Sequence, residues 1–135
     1  MTHFTIQELV SPVLLKKLSE DACWLLIPSS VQLALDALRE DFGVPIYING
    51  NGFTNSGVRP LDCSIGAKYS RHKITSKEMA FDLKCSDLPR LTKLVKQNHK
   101  KYNISRIENP DVTVGWLHCE FSFKPVLSDL KIFNP

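Results

Sequence analysis

Met79-Ala80-Phe81-Asp82-Leu83-Lys84-Cys85 and Val114-Gly115-Trp116-Leu117-His118-Cys119-Glu120-Phe121-Ser122-Phe123 decide how this chain is read. Both alternate with a period of two, the spacing at which successive side chains of a β-strand point to opposite faces. In the first, Met79, Phe81 and Leu83 share one face and Ala80, Asp82 and Lys84 the other. In the second, Leu117, Cys119 and Phe121 lie together, leaving Trp116, His118 and Glu120 opposite. Each strand thus pairs an apolar face with one carrying groups capable of chemistry.

Before these strands the pattern is helical. Val31, Ala34, Leu35, Leu38 and Phe42 recur at helical spacing, with Ser29 or Ser30 placed to cap the helix and Gly43 to end it. The first thirty residues read as helix with breaks: a short turn over Phe4 to Val10, a segment opened by Pro12, and a stop at Pro28. Val44 to Ile48 reads as a short strand. Asn49 to Ser70 is a Gly-, Asn- and Ser-rich loop, long enough to suggest function. After the first strand, Ser86 or Asp87 caps a helix with Pro89 in its first turn and an apolar stripe of Leu88, Leu91, Leu94, Val95 and Tyr102. Ser105 to Glu108 adds another strand. The expectation is an α+β domain whose N-terminal helices pack on a small, mostly antiparallel sheet.

A chain of 135 residues, 43% hydrophobic and 23% charged, suits one compact domain over 1–135 and excludes general disorder. The longest apolar run, Cys23 to Ile27, falls far short of the roughly 20 residues that span a bilayer. No charged-then-apolar leader precedes it, so the chain is expected to be made soluble, without a signal peptide or membrane insertion. A net charge of +3 is mild. No nucleic-acid reader motif accompanies it, and nucleic acid is not an expected partner. The basic stretch Arg90, Lys93, Lys96, His99, Lys100 and Lys101 reads as a solvated helix face. Cys23, Cys63, Cys85 and Cys119 stand far apart without a CxxC pair and read as buried free thiols, with Cys63 or Cys85 as a metal ligand left open.

Histidine is scarce: His3, His72, His99 and His118 are the full set. His3 at the terminus and His99 on the basic face read as solvated. His72 closes the long loop, and His118 shares a strand face with Glu120. Two imidazoles and the mid-strand Asp82 suffice for a catalytic zinc site, in which three protein ligands leave a fourth position open. The same residues also read as an exposed loop His, an edge-strand Asp and a satisfied core His. Spacing alone leaves both readings standing.

The surroundings of these residues add a resemblance. Ser56-Gly57-Val58-Arg59-Pro60, Ser64-Ile65-Gly66-Ala67-Lys68-Tyr69-Ser70-Arg71-His72, Ala80-Phe81-Asp82 and Trp116-Leu117-His118 follow one another in an order that resembles the M15 family of zinc peptidases. Phe4 to Leu9 and the helix running into Phe42-Gly43-Val44-Pro45-Ile46 also look like that family's N-terminal half. These enzymes include D-Ala-D-Ala carboxypeptidases and phage endolysins, and share the Hedgehog/DD-peptidase fold. The resemblance implies zinc held by His72, Asp82 and His118, Arg59 on the substrate, and peptidoglycan stem peptides as partners of a monomeric enzyme. It also implies action at the cell wall after release, or within a phage particle. Ser70 matches the Ser of the ligand motif, in a structural role.

Two positions depart from the family pattern. Glu78 stands where the family has Gly, after a His-to-Asp spacer lengthened by an extra turn carrying Ile74 to Lys77. Gly115 stands where the family carries its acid/base carboxylate. Glu120 is the expected replacement, with Glu108 and Asp111 as further candidates. The alternative function is an M15-like module that keeps zinc for structure or peptide binding without turnover.

Overall fold

The computed structural model describes residues 1–50, 52–61, 70–73 and 77–135. Among these, three short helices open the chain: α1 (Ile6–Leu9), α2 (Pro12–Lys17) and α3 (Glu20–Leu26). Each starts on a hydroxyl residue. The Thr5 amide donates to Glu8 at 2.8 Å, Ser11 accepts from the Leu14 amide, and Ser19 from the Ala22 amide. Such caps satisfy amides that a helix start would otherwise orphan. They divide the first thirty residues more finely than the two prolines alone suggest. The long helix α4 (Ser29–Phe42) buries the stripe read from its sequence and stops at Gly43, whose φ of 83° suits a residue without Cβ.

Helix α5 (Leu88–Asn98) begins where Asp87 accepts from the Arg90 amide and has Pro89 in its first turn. His99, expected on the solvated face, is instead buried, with its ring within hydrogen-bond distance of the Ile104 carbonyl at 2.9 Å. The helix has ended by that point, and the turn leading into β2 folds the imidazole inward.

The sheet is four-stranded, in the order β1 (Glu78–Leu83), β3 (Leu117–Ser122), β2 (Ile104–Glu108), β4 (Lys131–Phe133). β3 pairs antiparallel with both β1 and β2, as the alternating stretches imply. The sheet is nevertheless mixed rather than mostly antiparallel, because β4 lies parallel to β2. Topology explains the difference. Both edges of β3 are taken, so the returning chain docks on the free edge of β2, and a reversal relative to β3 makes it parallel there. Val44 to Ile48 forms no ladder. Only Tyr47 bridges Lys84, through reciprocal bonds of 2.7 and 2.9 Å, and Pro45 cannot donate to an extended pairing.

Met79, Phe81, Leu83, Leu117, Cys119 and Phe121 join the α4 and α5 stripes in one buried cluster. The Phe81 and Phe121 rings meet edge to face at 5.8 Å. The opposite sheet face is left for polar groups, and loop backbone runs along the outer edge of β1. The Asp82 amide donates to Ser56 at 2.8 Å, the Ala80 amide to Arg71 at 3.0 Å, and the Arg59 amide to His72 at 2.7 Å. These bonds fasten residues 56–59 and 70–73 to β1. The loop is fastened to the N-terminal helices as well, since Val58 donates to Leu9 and Ser11 donates back to Val58, both at 2.8 Å.

Gly57 lies at that junction, where a Cβ would overlap the Leu9 carbonyl. Gly57→Ala must therefore separate the loop from α1. We expect it to cost on the order of 1–3 kcal/mol, as overpacking does, read as a lower urea midpoint. An unchanged midpoint would show that the junction has slack.

Candidate metal centre

β-sheet register brings the first two site residues together. Asp82 on β1 stands directly opposite His118 on β3. Directly opposed residues of an antiparallel pair have Cβ atoms about 4.5–5.5 Å apart and lean from the same face. Asp82 Oδ1 is 2.9 Å from His118 Nδ1. The loop fastened to β1 supplies the third member, with His72 Nε2 3.2 Å from both Asp82 Oδ1 and His118 Nδ1. The three donor atoms lie within 4.8 Å of one another, and the group could hold a metal ion. Three residues separated widely in sequence thus converge on one point.

The outer nitrogens of both rings have partners of their own. His72 Nδ1 is 3.1 Å from the Gly57 carbonyl, which can only accept, so that nitrogen carries the hydrogen and Nε2 presents its lone pair to the cluster. His118 Nε2 is 3.2 Å from Glu120 Oε2. An N–H donated to that carboxylate leaves Nδ1 as the inward donor. Such partners fix the tautomer and orientation of metal-binding imidazoles. The donor set therefore fits a metal: two imidazole nitrogens and one carboxylate oxygen are aimed inward, with the His118 proton to be displaced on binding.

The structure puts Glu120 to a use different from the expected one. Its carboxylate sits behind His118, on the nitrogen facing away from Asp82, and its side chain is 2% exposed. Arg71 Nε and Arg106 Nε lie 3.7 Å from its other oxygen. A shared strand face identified the neighbour of His118, but the ring's two nitrogens decide which side that neighbour serves. On the inward side stands Glu108, at the end of β2, with Oε2 3.9 Å from His118 Nδ1. Gly115 has a φ of 98° in the turn before β3, a conformation that favours residues without a side chain. Asp111 is exposed on the preceding turn.

The electrostatics reflect this crowding. Burial pushes the Asp82 carboxyl up, but hydrogen bonds to His118 and His72 outweigh it and hold it below the usual range. Burial likewise disfavours a charged His118, yet Asp82 and Glu120, with Glu108 beyond them, raise it to about 9. In the metal-free protein a proton on Nδ1 therefore occupies the place a cation would take, and uptake of a cation must displace it.

Around the cluster, Arg59 is 7% exposed and donates from Nε to the Asn55 carbonyl at 2.6 Å. It lines a cavity of about 260 Å³ with Asp82, Lys84, Ser56, Phe53 and Trp116. Phe133 of β4 closes the other flank, edge to face with His118 at 5.9 Å and stacked under Arg106 at 4.0 Å. No strand periodicity marked Lys131–Phe133, so this wall was not legible beforehand. Ser70 accepts weakly from the His72 amide at 3.3 Å, a structural contact. Cys23 and Cys119 are buried free thiols, Cys85 stands outside the metal group, and Cys63 lies outside the described residues, as do Ser64 to Tyr69 and Ile74 to Ser76.

No family model, curated protein or solved structure matches the chain.

The cluster makes a direct prediction. His118→Ala should abolish stoichiometric binding of added zinc, whereas Glu120→Gln should keep one site and weaken it about 10–100-fold, the usual consequence of losing an orienting partner. Chelator-competition titrations check both. Unchanged affinity in Glu120→Gln would remove the orienting role.

Proposed function

We propose that the protein is a zinc-dependent peptidase acting on peptidoglycan stem peptides, built on a Hedgehog/DD-peptidase-like arrangement. The observation that carries this reading is the convergence of His72 Nε2, Asp82 Oδ1 and His118 Nδ1, with both outer ring nitrogens engaged elsewhere. Once the proton on His118 Nδ1 is displaced, two imidazole nitrogens and a carboxylate oxygen face one point, the donor set a zinc ion takes. Residue order along the chain, with its resemblance to M15 enzymes, supplies the substrate class. The cell wall or a phage particle is the corresponding place of action, and a monomer the corresponding state. Among the described residues, no helix is long and apolar enough to cross a membrane.

His72, Asp82 and His118 would hold the zinc, which when bound supplies Lewis acidity to polarise a peptide carbonyl and lower the pKa of water. Glu120, with Arg71 and Arg106 around it, keeps the His118 ring from turning. Glu108 stands on the open side of that ring, where a carboxylate can take a proton from the attacking water and return it to the departing amine. Its place on β2 fills the role that Gly115 lacks a side chain to fill. Arg59, held at Nε by Asn55, presents a planar guanidinium in the adjoining cavity, a shape suited to a carboxylate or peptide oxygen.

Protein purified without added zinc should contain about one zinc per chain and release amino acids or peptides from isolated stem peptides. Glu108→Gln should retain the zinc and lose about 10²–10⁴-fold in rate, the usual contribution of a general acid–base group. Zinc without cleavage in the wild type would instead favour the alternative module that keeps the metal for structure or peptide binding.

A separate expectation concerns Arg59. Arg59→Lys preserves a charge but not the planar fork, and should leave zinc content and circular dichroism unaltered while lowering kcat/KM. Lost zinc would reassign Arg59 to the scaffold, and full activity would remove it from substrate recognition.

A further inference from the structure

Lys84 is a buried cation that the Asp82 carboxylate reaches only at longer range than an ion pair. It is 9% exposed. Its ammonium donates to Ser56 Oγ at 2.6 Å and to the Asp82 backbone carbonyl at 3.2 Å, and it lies 4.4 Å from the centre of the half-exposed Phe53 ring. Among the described residues, no carboxylate comes within ion-pair distance of it. Buried charges are ordinarily paired, because leaving water is costly without a counter-charge. A hydroxyl, a carbonyl and an aromatic face orient this ammonium without neutralising it.

Its position gives the missing charge a place. Lys84 and Asp82 line the same small cavity, with Arg59, Phe53 and Trp116 completing the wall. The ammonium rests against the main-chain oxygen of the residue whose carboxylate belongs to the metal cluster. An anionic group on Nζ and a carbonyl at the cluster would then belong to neighbouring parts of one ligand in that cavity. The cavity, about 260 Å³, lies just below the usual size of ligand pockets. Across Trp116, which lines both, a larger groove of about 910 Å³ runs between α5 and residues 110–116. One side suits a chain end and the other suits the rest of a chain.

We propose that Lys84 is a specificity-determining residue that binds the free C-terminal carboxylate of a peptide, restricting the site to chain ends. This rests on the peptidase reading above and deepens it, assigning removal of a C-terminal residue rather than internal cleavage. Ser56 and Phe53 hold the ammonium in place, and the peptide carboxylate supplies an ion-pair partner that the described residues do not.

The test needs binding as well as turnover. Zinc-loaded protein is titrated calorimetrically with N-acetyl-D-Ala-D-Ala and with its C-terminal amide. The acid should bind at least 10-fold more tightly than the amide. Lys84→Gln should erase that difference while zinc stoichiometry and circular dichroism stay as in the wild type. Because Lys84 is buried, the acid-to-amide comparison in the wild type stands as a test even if the variant does not fold. Equal binding of the two ligands, including no detectable binding of either, overturns the proposal, as does a preference that survives in folded Lys84→Gln. Failure of the peptidase reading looks different: the acid preference would remain while stem peptides are left uncleaved. Cleavage of internal bonds with equal binding of acid and amide would preserve the peptidase and remove the anchor.

Discussion

The pairing of Asp82 with His118 across the β1–β3 ladder is the constraint on which the site depends. Two polar residues facing each other in a sheet normally face water. Here they are largely covered, and burial makes each demand a partner. The two partially satisfy one another at 2.9 Å, but a carboxylate oxygen and two imidazole nitrogens drawn within a few ångströms remain incompletely coordinated. Either a proton or a cation has to sit among them. The raised proton affinity of His118 and the lowered one of Asp82 are two views of that requirement.

Register makes this pairing unforgiving. A one-residue slip of β3 on β1 would turn His118 and Glu120 toward α4 and bring Cys119 and Phe121 to the polar face. The apolar residues on the other side prevent it, because Met79, Phe81 and Leu83 interlock with Leu117, Cys119 and Phe121 in the same register. Core packing thus sets the spacing of Asp82 and His118, although their side chains lie on the other face of the sheet. The loop carrying His72 is attached to the same frame by the Ala80, Asp82 and Arg59 amides. It is also attached to α1 through Val58 and the close approach of Gly57 to Leu9. The N-terminal helices, remote from the chemistry, thereby help determine where His72 stands.

What the sequence made legible follows from this. Alternation revealed β1 and β3 and their two faces, and helical spacing revealed α4 and α5. Pro12 and Pro28 marked breaks among the N-terminal helices without giving their number. Scarcity of histidine pointed to His72 and His118, and the isolated mid-strand carboxylate to Asp82. The parallel edge strand was hidden, since three residues are too few for a period and its direction depends on which sheet edge is vacant. Val44 to Ile48 had strand composition, but Pro45 and the lack of a long partner reduce it to a single bridge. Glu120 marks the limit of face-level reading. Periodicity places a side chain on a face within a few ångströms, whereas its chemical role turns on which nitrogen of His118 it meets. Glu108 was harder to see, because proximity across β2 and β3 depends on the irregularity between Ile104 and Arg106, which shifts their register.

The charges around the cluster show a division of labour that the net charge conceals. Glu120 has Arg71 and Arg106 behind it, each 3.7 Å from the oxygen that faces away from His118. Arg106 is in turn held flat on Phe133, which gives the short β4 a reason to exist beyond covering an edge. On the opposite flank, Lys84 and Arg59 are buried beside Asp82, and burial already presses the Lys84 ammonium down to about 8. Cations on that side and the carboxylate of Glu108 on the other make the surroundings polar in direction as well as in composition. A peptide bound as proposed would meet positive charge at one end and a carboxylate near the other. This asymmetry, fixed by strands whose order is set in the core, would orient a substrate before any bond is broken.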